Sequence, residues 1–287
     1  MAQTVHVHTD AAVHKAHLLQ TPSRLAVAAM LAGVWIGVGD VLMWSAAGPF
    51  TAAGHPAAKI VSGAVFAAAL TMIVFAGSEL ATSAMMILPL GALRRVISWW
   101  QAVGALAAVF VGNLMGSFAF AWVMVRTGVL ASGAAHDAWA TYLAGKIEHT
   151  PSELFWRGVM CNVLVCGAIW AAGRLQSEAG KAIAIFWCVL GFVASGFEHV
   201  VANMTTFALG LIGGGVDVSW ADFATNMGVV GLGNLVGGAV VIGVGYLHVA
   251  GSLRAPREVP ESDLTLALSA QRLVDGGDQL CEVGARV

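Results

Sequence analysis

Long apolar stretches alternate with short polar ones along most of the chain. Six of them reach about 20 residues or more, the length that carries a helix across a hydrocarbon core of roughly 30 Å. They predict crossings near 25–47, 57–93, 99–125, 155–173, 181–214 and 223–249. The second and fifth are too long for one straight crossing, and each is interrupted by polar residues, at 78–83 and 197–203. Two half-helices joined by a loop are expected in each. The pattern predicts an all-α membrane protein of six transmembrane helices, two of them broken.

The interruptions resemble each other. Setting "GSELATSAM" (77–85) against "GFEHVVANM" (196–204) at an offset of 119 pairs Gly77 with Gly196, Glu79 with Glu198 and Met85 with Met204. At an offset of 121, "GNLMG" (112–116) meets "GNLVG" (233–237). Each copy, about 24–126 and 152–250, holds three crossings. An odd number makes the second copy enter the membrane from the opposite side. The repeat is therefore expected to be inverted, with both breaks near the midplane around a pathway. Irregular backbone survives at that depth only where protein buries it or it lines a cavity.

Composition sharpens this picture. The chain is 58% hydrophobic and 10% charged, against about 25% charged in soluble domains, which excludes a water-soluble fold. Its net charge of −2 gives no reason to expect a nucleic-acid partner. Placing the N-terminus inside puts Lys15, Arg24, Arg94, Arg95, Arg174, Lys181, Arg254 and Arg257 in cytoplasmic segments, and only Lys59, Arg126, Lys146 and Arg157 outside. Both termini are then cytoplasmic. Cys161, Cys166, Cys188 and Cys281 have no CxxC spacing, so neither a disulfide framework nor a metal knuckle is indicated, and no cofactor is expected.

Few ionisable residues fall inside the crossings, and these are the functional candidates. Glu79 and Glu198 are expected to cap the loops, each carboxylate accepting from backbone N–H groups that the break frees. His199, beside Glu198 in the loop that the repeat singles out, is expected to line the pathway. Gly112, Gly116, Gly233 and Gly237 have the four-residue spacing that lets helix backbones approach. Asn234 is the candidate partner of His199. Asp40, near the outer end of the first crossing, reads as an interfacial residue.

At "GFEHVVANM", "ELATS" (79–83), "GKIEHTPSELFWRGVMCNVLVC" (145–166) and "GLGNLVGG" (231–238), the chain resembles the formate/nitrite transporter family over about residues 20–250. The resemblance implies an aquaporin-like fold assembled as a homopentamer, one pore per protomer, carrying small monovalent weak-acid anions, alone or with protons. It implies that His199, Thr82 and Asn234 stand at the pore centre and that Lys146 is the vestibule cation. Constrictions are implied at Phe66 and Phe192 on one side, and at Leu70, Leu80 and Val165 toward the centre and the other side. Phe66 and Leu70, one helical turn apart, would share a face. Ala81 departs from the family's bulky residue before the threonine and implies an inner constriction that is wider or that moves differently. "ANMTTFALGL" (202–211), with Thr205, is more similar to nitrite-type than to formate-type members. Nitrite is the first expectation for the cargo, formate the second, and hydrosulfide or a small carboxylate comes behind them.

The ends carry less. Residues 1–23, with His6, His8, His14 and His17, read as a flexible cytoplasmic tail, although the resemblance allows an amphipathic helix near the cytoplasmic mouth and a pH-responsive plug. Residues 251–287 read as a second tail, with a short amphipathic helix in "LTLALSAQRLVDGGDQL". A neutral-solute facilitator would share the architecture but use paired Asn-Pro-Ala loops, which the sequence lacks. A haem protein would need facing histidine pairs, and only His199 and His248 fall in predicted crossings.

Overall fold

The computed structural model describes residues 1–251, and no strand occurs among them. Helix α1 (Ala2–His17) and a single 3₁₀ turn lead into α2 (Pro22–Ala52) and α3 (Ala58–Ala76). Then follow α4 (Ala81–Leu93), α5 (Trp99–Thr127), α6 (Ala134–Glu148) and α7 (Pro151–Ala172). The second half continues with α8 (Glu178–Ala194), α9 (Val200–Gly213) and α10 (Trp220–Leu235), which runs through a π-helical stretch, Val236–Val244, into α11 (Gly245–Val249). Among the described residues, five helices are long and apolar enough to cross a membrane: α2, α3, α5, α7 and the continuous Trp220–Val249. Helices α4 and α9 are apolar but short.

The two expected breaks lie between α3 and α4 and between α8 and α9. Each begins at a glycine in the left-handed region, Gly77 at φ 76° and Gly196 at φ 74°, a conformation that side-chain-bearing residues adopt at a cost. Capping boxes fix where the long helices start: Ser98 with Gln101 for α5, Thr150 with Glu153 for α7, and Ser219 with Asp222 for α10. Each box satisfies two backbone donors that a helix start leaves free. Both α5 and α10 reach their asparagine, Asn113 or Asn234, at the same distance from that start. The two residues separating the offsets 119 and 121 therefore sit upstream. One extends α9 beyond α4 and one lengthens the connection that follows.

Small residues let the long helices pack closely. A Cβ on Gly116 would lie 2.0 Å from the Met30 carbonyl oxygen, and one on Gly237 2.2 Å from that of Val159. These contacts seat α5 on α2 and the end of the α10 helix on α7, where small side chains permit backbone approach without a hydrophobic drive from lipid. Outward faces carry large apolar side chains, among them Trp100, 87% exposed, and Trp187.

The N-terminal residues differ from the tail expected. Helix α1 packs on α4 and buries Val5, Ala12, Ala16 and Lys15. Amphipathic spacing, apolar at 5, 12 and 16, gives it a face to dock. Of its histidines, His6, His14 and His17 are exposed, whereas His8 is buried and stacks on Trp170 with ring centroids 4.9 Å apart. Burial pulls its pKa down to about 4. A histidine held neutral in the docked state favours docking above about pH 6.5, and that stabilisation drains away as the pH falls toward 4, because the undocked ring takes up the proton first. Hydrogen-exchange protection of residues 2–17, taken relative to the intrinsic amide rate at each pH, is accordingly expected to fall between pH 7 and 4.5, and His8→Phe to remove most of that fall. An unchanged response in the variant would assign it to the exposed histidines. The expected C-terminal helix lies outside the described residues.

Candidate functional site

The two breaks are built by the same hydrogen bonds. Asn113 of α5 accepts from the Ala81 N–H at 2.8 Å and donates to the carbonyls of Ala29 and Glu79, both at 2.8 Å. Asn234 of α10 accepts from the Val200 N–H at 2.9 Å and donates to the carbonyls of Gly158 at 2.7 Å and Glu198 at 2.9 Å. A side-chain amide is the one uncharged group that offers an acceptor and two donors at once. Each thereby caps the N-terminus of a half-helix and ties the loop to a long helix. This corrects two expectations. The asparagines, rather than the carboxylates, cap the breaks, and Asn234 holds the backbone on either side of His199 and makes no hydrogen bond to its ring.

The carboxylates instead meet cations. Glu198 accepts from Lys146 Nζ at 2.7 Å and from Asn203 Nδ2 at 2.7 Å, and Asn203 also donates to Asn226 at 2.7 Å. Glu79 accepts from Lys15 of α1. All four charged side chains are buried, where a lone charge is costly and a paired one far less so. Lys15 was missed in the sequence because it stands in the polar-looking N-terminal stretch, outside both copies of the repeat. Asn203 stands opposite Ala84 in the repeat alignment, so the repeat gave no signal for it, whereas Asn113 matches Asn234 in "GNLMG" and "GNLVG".

His199 and Thr82, 117 positions apart, are brought together between the breaks. Thr82 Oγ1 lies 3.0 Å from His199 Nε2, and His199 Nδ1 accepts from the Ala202 N–H at 3.1 Å. With Nδ1 an acceptor, the neutral ring carries its proton on Nε2 and donates it to the Thr82 hydroxyl. The threonine O–H then remains free to donate onward. Thr82 is in the first turn of α4 and His199 is the N-cap of α9, so two half-helix N-termini, each with about half a positive charge, converge here.

Aromatic rings cover this centre. Phe192 stacks over His199 at 5.9 Å, and Phe66 meets Phe192 edge-on at 6.0 Å. Leu70, Leu80 and Val165 are buried in the same apolar cluster. Ala81, the first residue of α4, has no exposed surface. A cavity of about 300 Å³ includes Lys146, Glu198, Trp44, Lys59, His149 and Arg157 in its wall. The Lys146 ammonium also lies 4.2 Å from the Tyr142 ring centroid. Asp40, read from the sequence as interfacial, is packed inside the protein and only 1% exposed. Among the described residues, no group of three or more His, Cys, Asp or Glu side chains is placed to hold a metal.

Helices long and apolar enough to cross a membrane, with two interruptions and a polar centre beneath an aromatic pair, define a membrane channel or transporter. The sequence model described as Formate/nitrite transporter matches residues 2–248, and the chain belongs to that family. It is thus a multi-pass membrane protein. It is 36% identical over 240 residues to the nitrite transporter NirC of Salmonella typhimurium, covering 80% of this chain and 84% of that one. A probable formate transporter of Methanothermobacter thermautotrophicus is also 36% identical, over 247 residues, with 78% and 88% covered. Among solved structures, an FNT family ion channel superposes with a TM-score of 0.81 at 34% identity, over 87% of this chain and 99% of that one. A pentameric formate channel with formate bound gives 0.70 at 27%, over 80% and 98%.

Proposed function

We propose that the chain forms a pore for a small monovalent weak-acid anion, nitrite before formate. The observation that carries this reading is the His199–Thr82 contact at the meeting of two half-helix N-termini beneath the Phe66–Phe192 rings. Six crossings arranged as an inverted repeat account for the matched hydrogen bonds of Asn113 and Asn234. A homopentamer, with a pore in each protomer, is the assembly the pentameric relative suggests, and it would bury part of the exposed apolar faces. The cation distribution supports both termini in the cytoplasm, and lipid would surround the rest.

An anion crossing a dry constriction must be paired or neutralised, since an unpaired charge in such surroundings costs many kcal/mol. Lys146 and its neighbours Lys59 and Arg157 would concentrate anions in the cavity. The Thr82 hydroxyl, oriented by His199 and carrying the free hydrogen of the pair, would donate to a cargo oxygen at the centre. His199 acts here as a hydrogen-bonding checkpoint. To deliver a net proton it would have to become imidazolium, and its Nδ1 would then have to give up the Ala202 N–H. Nitrite is placed first on "ANMTT", whose Thr205 hydroxyl is buried without a hydrogen-bond partner among the described residues.

The test is flux through the purified protein in liposomes, with nitrite and formate compared on one preparation at two external pH values. Nitrite flux several-fold above formate flux is expected. Equal rates would reduce the reading to a relaxed anion channel, and no flux of either would overturn it.

A further inference from the structure

Asp40 is a buried carboxyl for which neither oxygen has a hydrogen-bond partner among the described residues. Trp44, one helical turn further along α2 on the same face, is 2% exposed, and its indole N–H is likewise unpartnered. Buried polar groups are nearly always satisfied, so an acceptor-donor group and a donor left open side by side call for a ligand. Their position says which one. Trp44 and Met43, on the Asp40 face, line the cavity that holds Lys146 and Glu198. On the other side, Gly39 abuts the Phe66 ring, which a Cβ there would meet at 3.3 Å. Asp40 is thus next in sequence to the position that meets the Phe66 ring and one helical turn from the tryptophan in the cavity wall.

We propose that Asp40, with the Trp44 indole, forms a proton-donating anion subsite on the cavity side of the Phe66–Phe192 rings. The inference rests on the transport reading above. A carboxyl buried without a partner keeps its proton, and as a neutral acid it can donate a hydrogen bond to an oxyanion. The Lys146 ammonium and Tyr142 ring of α6 and the Glu198 carboxylate at the α8–α9 break are the titratable and charged groups that act on one another with Asp40 here. Helices α3, α5 and α9, also packed on α2, bring no charged side chain to this face, Lys59 at the start of α3 standing in the cavity wall. In the step itself the Asp40 O–H bond breaks, the proton passes to the anion oxygen, and the neutral acid goes on through the rings toward His199. The carboxylate left behind faces Lys146 until a proton from cavity water restores it. A proton source at Asp40 supplies what the capped His199 ring cannot release in this arrangement.

The test uses wild type, Asp40→Asn, Asp40→Glu and Trp44→Phe in liposomes, with nitrite flux measured from external pH 5 to 8, and infrared difference spectra of the same preparations. Asp40→Asn preserves shape and the capacity to hydrogen-bond but carries no transferable proton. Its flux is expected to fall roughly tenfold or more at pH 7.5, with the deficit shrinking toward pH 5, while Asp40→Glu keeps the wild-type profile. Trp44→Phe should raise KM with a smaller effect on maximal rate. The wild-type spectrum should contain a protonated-carboxyl band at neutral pH that Asp40→Asn lacks. An Asp40→Asn profile parallel to wild type, or the absence of that band, overturns the proposal. Because the band is read without transport, a preparation that moves neither anion refutes the transport reading and still reports on Asp40.

Discussion

Exchange of His199 for asparagine is expected to lower nitrite flux about a hundredfold at every external pH, with the protein still abundant in the membrane. Asparagine is a competent N-cap and can accept from the Ala202 N–H as the imidazole does, so α9 keeps its start. It is too short to reach Thr82 across the gap the ring spans, and the threonine hydroxyl loses its orientation. Removing one preorganised donor from a dry site typically costs 10²–10³ in rate. Thr82→Val should cost a similar factor. The double variant should be little worse than either single one, because the two side chains act as one unit. Independent, multiplying losses would separate them, and undiminished flux in His199→Asn would remove the ring from the pathway. The uniform loss also distinguishes this position from Asp40, whose replacement should tilt the pH profile.

Replacement of Asn234 by leucine is expected to prevent the protein from folding stably, with few properly assembled molecules recovered and a sharply lowered melting temperature in detergent. Three buried backbone groups, the Val200 N–H and the carbonyls of Gly158 and Glu198, lose their side-chain partner at once. Each unsatisfied buried group costs about 1–3 kcal/mol, so the sum is on the order of 3 kcal/mol or more, a large share of the stability of an ordinary protein. Asn234→Asp, which keeps the acceptor and loses the two donors, should fall between. Asn113→Leu tests the same construction in the other half. A melting temperature in Asn234→Leu close to wild type would mean that the break is held by packing alone.

The interruptions, and His199 within one of them, were legible in the sequence for a physical reason: a polar run inside an apolar one is costly in a bilayer unless a structure demands it. Thr82 and the aromatic pair came from resemblance, and their contact with His199 could not have been inferred from spacing, since the partners lie 117 positions apart. What each polar side chain does was harder still. Glu79 and Glu198 looked like caps because a carboxylate beside freed N–H groups ordinarily is one. The lysines that claim them lie in other helices, and a side-chain amide proves better suited to hold a donor and two acceptors. The burial of Asp40 was not legible because it depends on how α6 packs across α2, which periodicity along one helix does not encode.

The two lysine–glutamate pairs have a consequence for biogenesis. Lys15 precedes Glu79 by 64 residues and Lys146 precedes Glu198 by 52, so each cation leaves the ribosome well before its counter-ion. A lysine that reached its final depth at once would sit stranded among apolar side chains. Docking of α1 and α6 before the glutamates emerge would carry the cost of an unpaired buried charge, which favours their docking after the breaks have formed behind them. Nascent chains halted short of Glu79 or Glu198 would carry these helices undocked and open to quality-control proteases, which makes the arrival of each glutamate a checkpoint in the making of the protein.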